Sequence, residues 1–348
     1  MSNRNLNLNI NTNTTILVTG AGGTVGREVI KLIMESYPTY KVKAFDLETP
    51  DNVAFLDTYR DRLEVYYGDI TRSEDLEDVT MDVDCCLHIA SVIPPMAYED
   101  HDLTFEVNVS GSQNLIRALE KNSPDAFVVM TSSVAVYGDR LHDPHIRVGD
   151  PLQPSYGDNY GESKVRMEEL LRDCSLDHTI FRLSAIMGAD NHKISKLMFY
   201  MPLETPMEIT TPRDTARALV LAVQHRSELK GRTFNLGGGP SCRTIYRDLL
   251  AKNFEINGLG ALDFPDKAFA ERNYHCGLYD DGDALEHILH FRRDTLDTYY
   301  AGVRAGVPAY KRLLRRPFRW LIKKYLLSKS EPYKAWKTGD KDRMRYFF

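Results

Sequence analysis

The segment TILVTGAGGTVG near the N-terminus constrains the fold more than any other part of this sequence. Residues 15–19 form a short β-branched run that ends at a glycine-rich turn, and residues 27–35 continue with helical periodicity. A strand that enters a helix through glycines is typical of the first unit of a parallel, doubly wound sheet, because the turn lets the backbone approach a phosphate. The segment therefore predicts a nucleotide-binding α/β fold.

The glycines of this turn have the spacing G-x-x-G-x-x-G, whereas the commoner dinucleotide fingerprint is G-x-G-x-x-G. A helix that begins directly after such a turn offers unpaired N–H groups to an anion. A tight turn without a ligand is the alternative interpretation. We predict that a dinucleotide pyrophosphate is bound by Gly20, Gly23, Thr24, Val25 and Gly26.

Further short apolar runs predict strands at residues 41–45, 63–67, 83–89, 126–131, 178–183 and 233–236. Helical stretches at 107–121 and 163–172 lie between them, and this alternation predicts a Rossmann-type doubly wound parallel sheet. Elsewhere turn-rich, aromatic-rich pieces suggest a smaller, discontinuous C-terminal substrate lobe. The resulting domain prediction is a disordered leader at 1–13, a nucleotide-binding domain at 14–184 to which 208–237 returns, a substrate lobe at 185–207 and 238–303, and a basic helical extension at 304–348.

Two aspartates follow predicted strands at the edge where ligands of such sheets bind. Asp46 is placed to accept hydrogen bonds from both hydroxyls of the adenosine ribose. Its charge would repel a 2′-phosphate, so NAD is favoured over NADP as the cofactor. Asp69, in the motif GDI, is placed to meet the adenine amino group. A solvated loop aspartate is the alternative for Asp46, and a turn-forming role is the alternative for Asp69.

Three residues farther along the chain predict hydride-transfer chemistry. Tyr160 and Lys164 lie one turn apart if they share a helix, and Ser133 ends the fifth predicted strand. A phenol with an ordinary pKa of about 10 is a poor base at neutral pH, so we expect the Lys164 ammonium to lower the pKa of Tyr160. Tyr160 would then exchange a proton with a substrate hydroxyl that Ser133 orients.

The motifs TGAGGTVG, GDI, HIAS, VNVSGSQNL, SSVAVYG, YGESK and FNLGGG together resemble the extended short-chain dehydrogenase/reductases, also called the NAD-dependent epimerase/dehydratase family. The resemblance implies a Rossmann domain with a C-terminal substrate lobe and a homodimer formed through a four-helix interface. It also implies that Ser133, Tyr160 and Lys164 are the catalytic triad. The further cofactor-lining positions that it implies are Ile70, Ala90, Ser91 and Asn108.

Departures from the family patterns narrow the choice of reaction. Val134 and Ala135 occupy the places of the Asp-Glu pair of sugar-nucleotide 4,6-dehydratases, so the acid and base that would eliminate water are missing and that class is disfavoured. Ala185 replaces the asparagine usual in 4-epimerases, and the diphosphate-binding insertion before residue 209 is shortened. Arg213 is a candidate anion contact, with a surface salt bridge as the alternative.

The stretch HIASVIPPMAYEDHDLTFEVNVSGSQNLIRAL particularly resembles the 3β-hydroxysteroid dehydrogenase branch. We therefore predict an NAD-dependent oxidoreductase that interconverts a secondary alcohol and a ketone on a small or apolar substrate, with steroid-like substrates among the candidates. A sugar-nucleotide epimerase and a non-catalytic NAD-sensing scaffold are the alternatives. Residues 92–98 and 194–203 are candidate pocket segments, with a role in the lobe core as the equal alternative.

The C-terminal region differs in charge from the rest of the chain. Residues 304–348 contain 14 lysines and arginines against three acidic residues, a formal charge of +11, so residues 1–303 carry −16. Within this region one helical stripe is apolar, which fits packing on the acidic body, on a subunit partner or on an anionic membrane. The stripe consists of Tyr310, Leu313, Leu314, Phe318, Leu321, Ile322 and Tyr325. We expect no nucleic acid partner, no metal site and reduced cysteines, with a cytoplasmic location and membrane association through this region as a further option.

Overall fold

The computed structural model describes residues 14–188 and 194–348, so the predicted leader at 1–13 lies outside the described residues. Seven parallel strands form the central sheet, in the order β3-β2-β1-β4-β5-β7-β10. The strands are β1 (Thr15–Thr19), β2 (Lys41–Asp46), β3 (Leu63–Tyr67), β4 (Cys85–His88), β5 (Phe127–Ser133), β6 (His145–Ile146), β7 (Asp177–Leu183), β8 (Ala185–Ile186), β9 (Pro206–Thr210), β10 (Thr233–Leu236), β11 (Arg243–Ile245) and β12 (Leu278–Tyr279).

Helices cover both faces of this sheet. They are α1 (Thr24–Ser36), α2 (Pro50–Leu56), α3 (Met96–Glu99), α4 (His101–Phe105), α5 (Ser112–Asn122), α6 (Asn159–Arg172), α7 (Pro212–Ala222), α8 (Arg226–Leu229), α9 (Tyr246–Ile256), α10 (Asp283–Leu289), α11 (Leu296–Gly306), α12 (Ala309–Arg315), α13 (Arg319–Leu327), α14 (Glu331–Thr338) and α15 (Lys341–Phe347). One face packs against α1 and α7 and the other against α5 and α6. The predicted doubly wound fold is confirmed.

The predicted strands reflect burial on both faces, because a central parallel strand then becomes a continuous apolar run. Ile16, Leu17 and Val18 in β1 are all fully buried. The structure shifts some bounds: β4 is shorter than predicted, and β5 extends to Ser133. The stretch predicted as a helix at 107–121 begins as a π-helix, Glu106–Gly111, before α5 continues it.

A smaller sheet, β8-β9-β11, organises the second lobe. Its core is rich in methionine and phenylalanine, and α9 and α11 contribute to it. The strand β9 belongs to this sheet, so the chain returns to the large sheet with α7 rather than at residue 208. The short strand β6 lies in the loop after β5, and it pairs in parallel with β12 near the end of the lobe.

The C-terminal region forms the four helices α12 to α15, with Pro317 between α12 and α13. On α13, Leu326 is buried and Ile322 and Leu327 pack on the lobe core. On α15, Phe347 is buried together with Ala335 of α14. This region therefore folds onto the second lobe, and its last helix lies close to the carboxyl edge of the large sheet.

Candidate active site

The glycine turn after β1 is tight and leads directly into α1. Gly20 has a φ of +71°, and a Cβ there would lie 2.8 Å from the Ala90 nitrogen. A Cβ on Gly26 would overlap the carbonyl oxygen of Gly20. The helix α1 begins without a side-chain cap and without an acidic residue in its first turn, so the N–H groups of Thr24 and Val25 have no intrahelical acceptor.

The predicted ribose carboxylate lies against this turn. Asp46 ends β2, and its two oxygens accept the Gly22 N–H at 2.7 Å and the Leu47 N–H at 2.8 Å. Burial raises the pKa of Asp46 above its usual value, although both N–H groups act in the opposite direction. The neighbouring Arg27 donates to the Gly22 carbonyl and to the Asp51 carboxylate. Its charge is therefore already paired.

The GDI motif makes a turn and a helix contact. Asp69 Oδ1 accepts hydrogen bonds from the Thr71 backbone N–H at 3.0 Å and from its hydroxyl at 2.8 Å. Ile70 packs closely against Gly111 of the π-helix. The turn-forming role of Asp69 is thus observed, and its contact with adenine stays a prediction.

Asn108 connects the segment after β4 to the helix that carries the tyrosine. It is fully buried in the π-helix, and its Oδ1 accepts from the Ser91 hydroxyl at 3.0 Å and from the Val92 N–H at 2.7 Å. Its Nδ2 donates to the Val92 carbonyl and to the Ser163 hydroxyl, each at 3.0 Å. All polar atoms of this amide are used, so Asn108 positions Ser91 relative to α6.

The structure brings the three predicted catalytic residues together at the carboxyl edge of the large sheet. Ser133 ends β5, and its side chain lies beside that of Tyr160 on α6, where it acts to lower the Tyr160 pKa; its Oγ also accepts the Ala135 N–H at 3.1 Å. Lys164, one turn after Tyr160, donates from Nζ to the Thr131 carbonyl at 3.0 Å. The same Nζ lies 5.8 Å from the centre of the Tyr160 ring. A serine hydroxyl, a phenol and an amine therefore share one site.

Burial dominates the ionisation of this site. It raises the pKa of Tyr160 to about 12, although the hydrogen bond with Ser133 lowers it. It lowers the pKa of Lys164 to about 7, although the Glu168 charge raises it. From the sequence we expect the Lys164 ammonium to lower the pKa of Tyr160. In the structure, the loss of solvent around Tyr160 has the larger effect on its pKa, so the phenol is protonated at neutral pH.

A buried ion pair supports the helix α6 from below. Glu168, one turn after Lys164, accepts from Arg182 of β7 at 2.8 Å and from the Ser132 hydroxyl. Burial raises the pKa of Glu168, but the hydrogen bonds from Arg182 and Ser132 outweigh it and lower the pKa overall. This network ties α6 to β5 and β7 and fixes the height of Tyr160 above the sheet.

Sequence reasoning missed the groups that surround Tyr160 on the substrate side. Asp158 caps α6 through the Gly161 N–H, and its other oxygen accepts from His275 Nδ1 at 2.8 Å. The His275 ring lies 6.3 Å from the Tyr160 ring and stacks on Tyr274 at 4.7 Å. No motif signals this pairing, because 117 residues separate Asp158 from His275.

Aromatic side chains from other segments complete this wall. Burial raises the pKa of the Tyr98 hydroxyl well above its usual range, and the nearby Tyr274 and Tyr346 add to the rise. The Tyr98 ring stacks on Tyr200 with centres 6.1 Å apart. We call Tyr98, Tyr200, Tyr274, His275 and Tyr346 the aromatic wall.

The candidate pocket segment 194–203 divides between two roles. Met198, Phe199 and Met201 lie in the lobe core, as the alternative interpretation has it, whereas Tyr200 belongs to the aromatic wall. The candidate anion contact Arg213 donates to the Asp294 carboxylate at 2.7 Å. Arg213 therefore forms a salt bridge, which was the alternative interpretation from the sequence.

Known proteins resemble this chain in sequence and fold. D-erythronate dehydrogenase of Cupriavidus necator is 28% identical over 251 residues, covering 64% of this chain and 76% of that protein. The decarboxylating sterol-4-alpha-carboxylate 3-dehydrogenase of Schizosaccharomyces pombe is 29% identical over 185 residues, and the match spans 52% of each chain. The fold matches UDP-glucuronic acid 4-epimerase of Bacillus cereus with a TM-score of 0.71 at 18% identity, covering 86% of this chain and 100% of that one.

The family comparison covers the glycine turn, the catalytic set and the large sheet through β10. Residues 16–237 match it, which is more than half of the chain, and the chain thus belongs to the NAD dependent epimerase/dehydratase family.

Proposed function

We propose that this protein is an NAD-dependent oxidoreductase that interconverts a secondary alcohol and a ketone on a small, largely apolar substrate. The observation that carries the proposal is the convergence of Ser133, Tyr160 and Lys164 beneath the aromatic wall. The family membership and the two dehydrogenase relatives support the reaction type. The finer substrate class, including steroid-like compounds, rests on the chemistry of the wall.

The residues at the carboxyl edge of the sheet fit NAD. A Cβ at Gly20 or Gly26 would meet the backbone of Ala90 or Gly20, so both glycines keep the turn tight, and the uncapped N-terminus of α1 would hold the pyrophosphate. Asp46 would hold the adenosine ribose, and the paired Arg27 favours NAD over a cofactor with a 2′-phosphate. Lys164 would hold the nicotinamide ribose. When bound, NAD supplies the acceptor or donor of the hydride.

The chain's own residues handle the proton. In the oxidation direction Ser133 holds the substrate oxygen, and Tyr160 removes the hydroxyl proton as hydride leaves the same carbon. In the reduction direction the protonated Tyr160 returns that proton to the forming alkoxide. Because burial raises the pKa of Tyr160 to about 12, its protonated form is ready for reduction at neutral pH. A charged Lys164 stabilises the phenolate that oxidation requires.

The aromatic wall supports an apolar substrate skeleton. Tyr98, Tyr274 and Tyr346 present large flat surfaces beside Tyr160, and such surfaces bind apolar rings or chains. His275 adds one polar group, since Asp158 holds its Nδ1 and no described residue bonds its Nε2. A substrate with one further oxygen beyond the reacting carbon would suit this arrangement.

A sugar-nucleotide epimerase is the second candidate, because the fold is shared with an epimerase and a further relative is a 4-epimerase of Escherichia coli, 29% identical over 188 residues. Such a substrate carries a diphosphate that needs cations. Three arginines that could meet a diphosphate are already paired: Arg213 with Asp294, Arg243 with the buried Glu208, and Arg292 with Asp283. These pairings favour a substrate without a nucleotide.

The test is an NADH absorbance assay of the purified protein with NAD and a panel of hydroxysteroids, simple secondary alcohols, hydroxy acids and sugar nucleotides. We expect NADH to accumulate with a non-nucleotide alcohol. Tyr160→Phe should lower the rate by roughly 10²–10⁴ while NAD binding survives. Tyr156→Phe is the matched control, since that side chain is 77% exposed four residues earlier on the chain.

Full activity in Tyr160→Phe would remove the mechanism. Interconversion of a sugar nucleotide with no NADH released would instead favour the epimerase. The homodimer and the cytoplasmic location stay predictions, and sedimentation of the purified protein and cell fractionation test them.

A further inference from the structure

The helices α12 and α13 turn large apolar side chains toward solvent. Each of these side chains is between 45% and 64% exposed, and together they form what we call the basic apolar face. Its apolar members are Tyr310, Leu313, Leu314, Phe318, Trp320, Leu321 and Tyr325. A patch of this size on the surface of a folded chain marks an interaction site rather than scattered exposure.

The exposure does not arise from a helix that lacks a core. On α13, Leu326 is buried and Ile322 and Leu327 already pack on the substrate lobe. The helix thus packs one apolar side against its own protein and exposes a second apolar side to solvent. Packing on the acidic body, one of the alternatives from the sequence, uses only the first side.

The segment that forms the face carries only positive charge, and the nearby carboxylates are Glu255, which lines a cavity with Arg316, Arg319 and Trp320, and Asp263. Residues 305–330 contain eight lysines and arginines and no acidic residue. Lys323 pairs with Asp263, and Arg315 donates to the Asn257 side chain. Within residues 14–188 and 194–348, no carboxylate forms a salt bridge with Lys311, Arg312, Arg316, Arg319, Lys324 or Lys329.

We propose that the basic apolar face docks on an anionic lipid surface, with α12 and α13 lying in the plane of the interface. Leucine, phenylalanine and tryptophan side chains next to unpaired arginines and lysines are the composition of interfacial helices. No helix in the described part of the chain is long and apolar enough to cross a bilayer, so the contact is peripheral.

A second copy of the chain fits this face less well. A symmetric contact places the same patch on both subunits, so it would bring twelve unpaired cations together. Nucleic acid would satisfy the charge but leaves the leucines and Phe318 without apolar partners. An anionic membrane supplies both a negative surface and an apolar layer beneath it.

The experiment is flotation of the full-length protein with vesicles of pure phosphatidylcholine and with vesicles in which phosphatidylserine makes up about a third of the lipid. We expect binding to the phosphatidylserine vesicles only, weakening as salt rises. Arg316→Gln with Arg319→Gln should reduce the binding constant roughly 30-fold. Leu314→Ser with Phe318→Ser should reduce it at least about tenfold.

The control is Met81→Ser with Lys41→Gln, which removes one exposed apolar and one exposed basic side chain from the nucleotide-binding domain. It should bind vesicles like the unmodified protein. Melting temperatures should agree among all variants, since every substituted side chain is exposed. The proposal would be overturned if the protein bound no vesicles or bound both vesicle types equally. It would also be overturned if the variants changed only the oligomer mass or only DNA binding.

Discussion

The two sides of Tyr160 are built in different ways. On the cofactor side, Asp46, Asn108 and Lys164 are held by hydrogen bonds to nearby backbone and side chains. On the substrate side, the aromatic wall gathers side chains from four separated segments, including the last helix of the chain. The first side is held by a continuous set of hydrogen bonds. The second consists mainly of ring contacts, so we propose that it can vary with little cost to the first and that it sets substrate choice.

The largest expected effect lies on the cofactor side. Lys164→Met should lower kcat by roughly 10²–10⁴ for every substrate, because the phenolate loses its stabilising charge. Stability at neutral pH should not fall, since burial lowers the Lys164 pKa to about 7 and the unfolded chain therefore binds this proton more tightly. Steady-state kinetics and thermal unfolding measure the two effects.

Lys43→Met is the matched control for this substitution. Lys43 is also buried and also donates to a backbone carbonyl, that of Met81, but it lies on β2 away from Tyr160. Its replacement should leave kcat unchanged. A loss of kcat confined to one substrate in Lys164→Met would show that the two sides of Tyr160 are not separate.

The next largest effect concerns the support beneath the site. Glu168→Gln leaves the buried Arg182 without a full counter-charge and should lower the free energy of unfolding by about 3 kcal/mol. Glu169→Gln, which breaks only the exposed pair with Arg166, should cost less than about 1 kcal/mol. Urea unfolding of both variants decides the point, and equal losses would mean that the buried pair has no special structural weight.

The placement of the glycine turn, Asp46, Tyr160 and Lys164 could be predicted from the sequence because its signals are local. Strands buried on both faces are short apolar runs, and the strand end at Asp46 falls beside the glycine turn in any parallel sheet of this type. Tyr160 and Lys164 needed only helical spacing to be placed on one face. Their ionisation was not predictable, since the burial that raises the Tyr160 pKa depends on tertiary packing that no local pattern records.

The substrate side and the C-terminal helices could not be predicted in the same way. The pair Asp158–His275 and the approach of Tyr346 to α6 depend on how the lobe folds back, and no short-range pattern records that. The apolar stripe of α12 and α13 was visible as a pattern. Only the structure separates Leu326, which is buried, from Phe318, which faces solvent.

The pH dependence of the reaction tests the coupling between the two sides. Because burial raises the pKa of Tyr160 to about 12, its ionised fraction grows as pH rises. Between roughly pH 6 and 8, kcat/KM for oxidation should therefore increase by up to about tenfold per pH unit below about pH 7 and level off above it, because Lys164, whose pKa burial lowers to about 7, then loses the charge that stabilises the phenolate. Reduction uses the protonated phenol and should stay nearly constant over that range. A flat oxidation profile would mean that Tyr160 is already ionised in the working enzyme.

The smallest expected effect belongs to the aromatic wall and separates binding from chemistry. Tyr346 lies on α15, and its ring is next to Gly157, just before α6. A Cβ on Gly157 would lie 3.4 Å from this ring. Tyr346→Ala removes an apolar surface and should raise KM about tenfold for apolar substrates, with kcat nearly unchanged. Tyr346→Phe keeps the ring and should preserve KM, which distinguishes surface contact from a role of the hydroxyl. If Tyr346→Ala instead lowers kcat for all substrates equally, α15 supports the position of Tyr160, and the wall belongs to the catalytic side of the site.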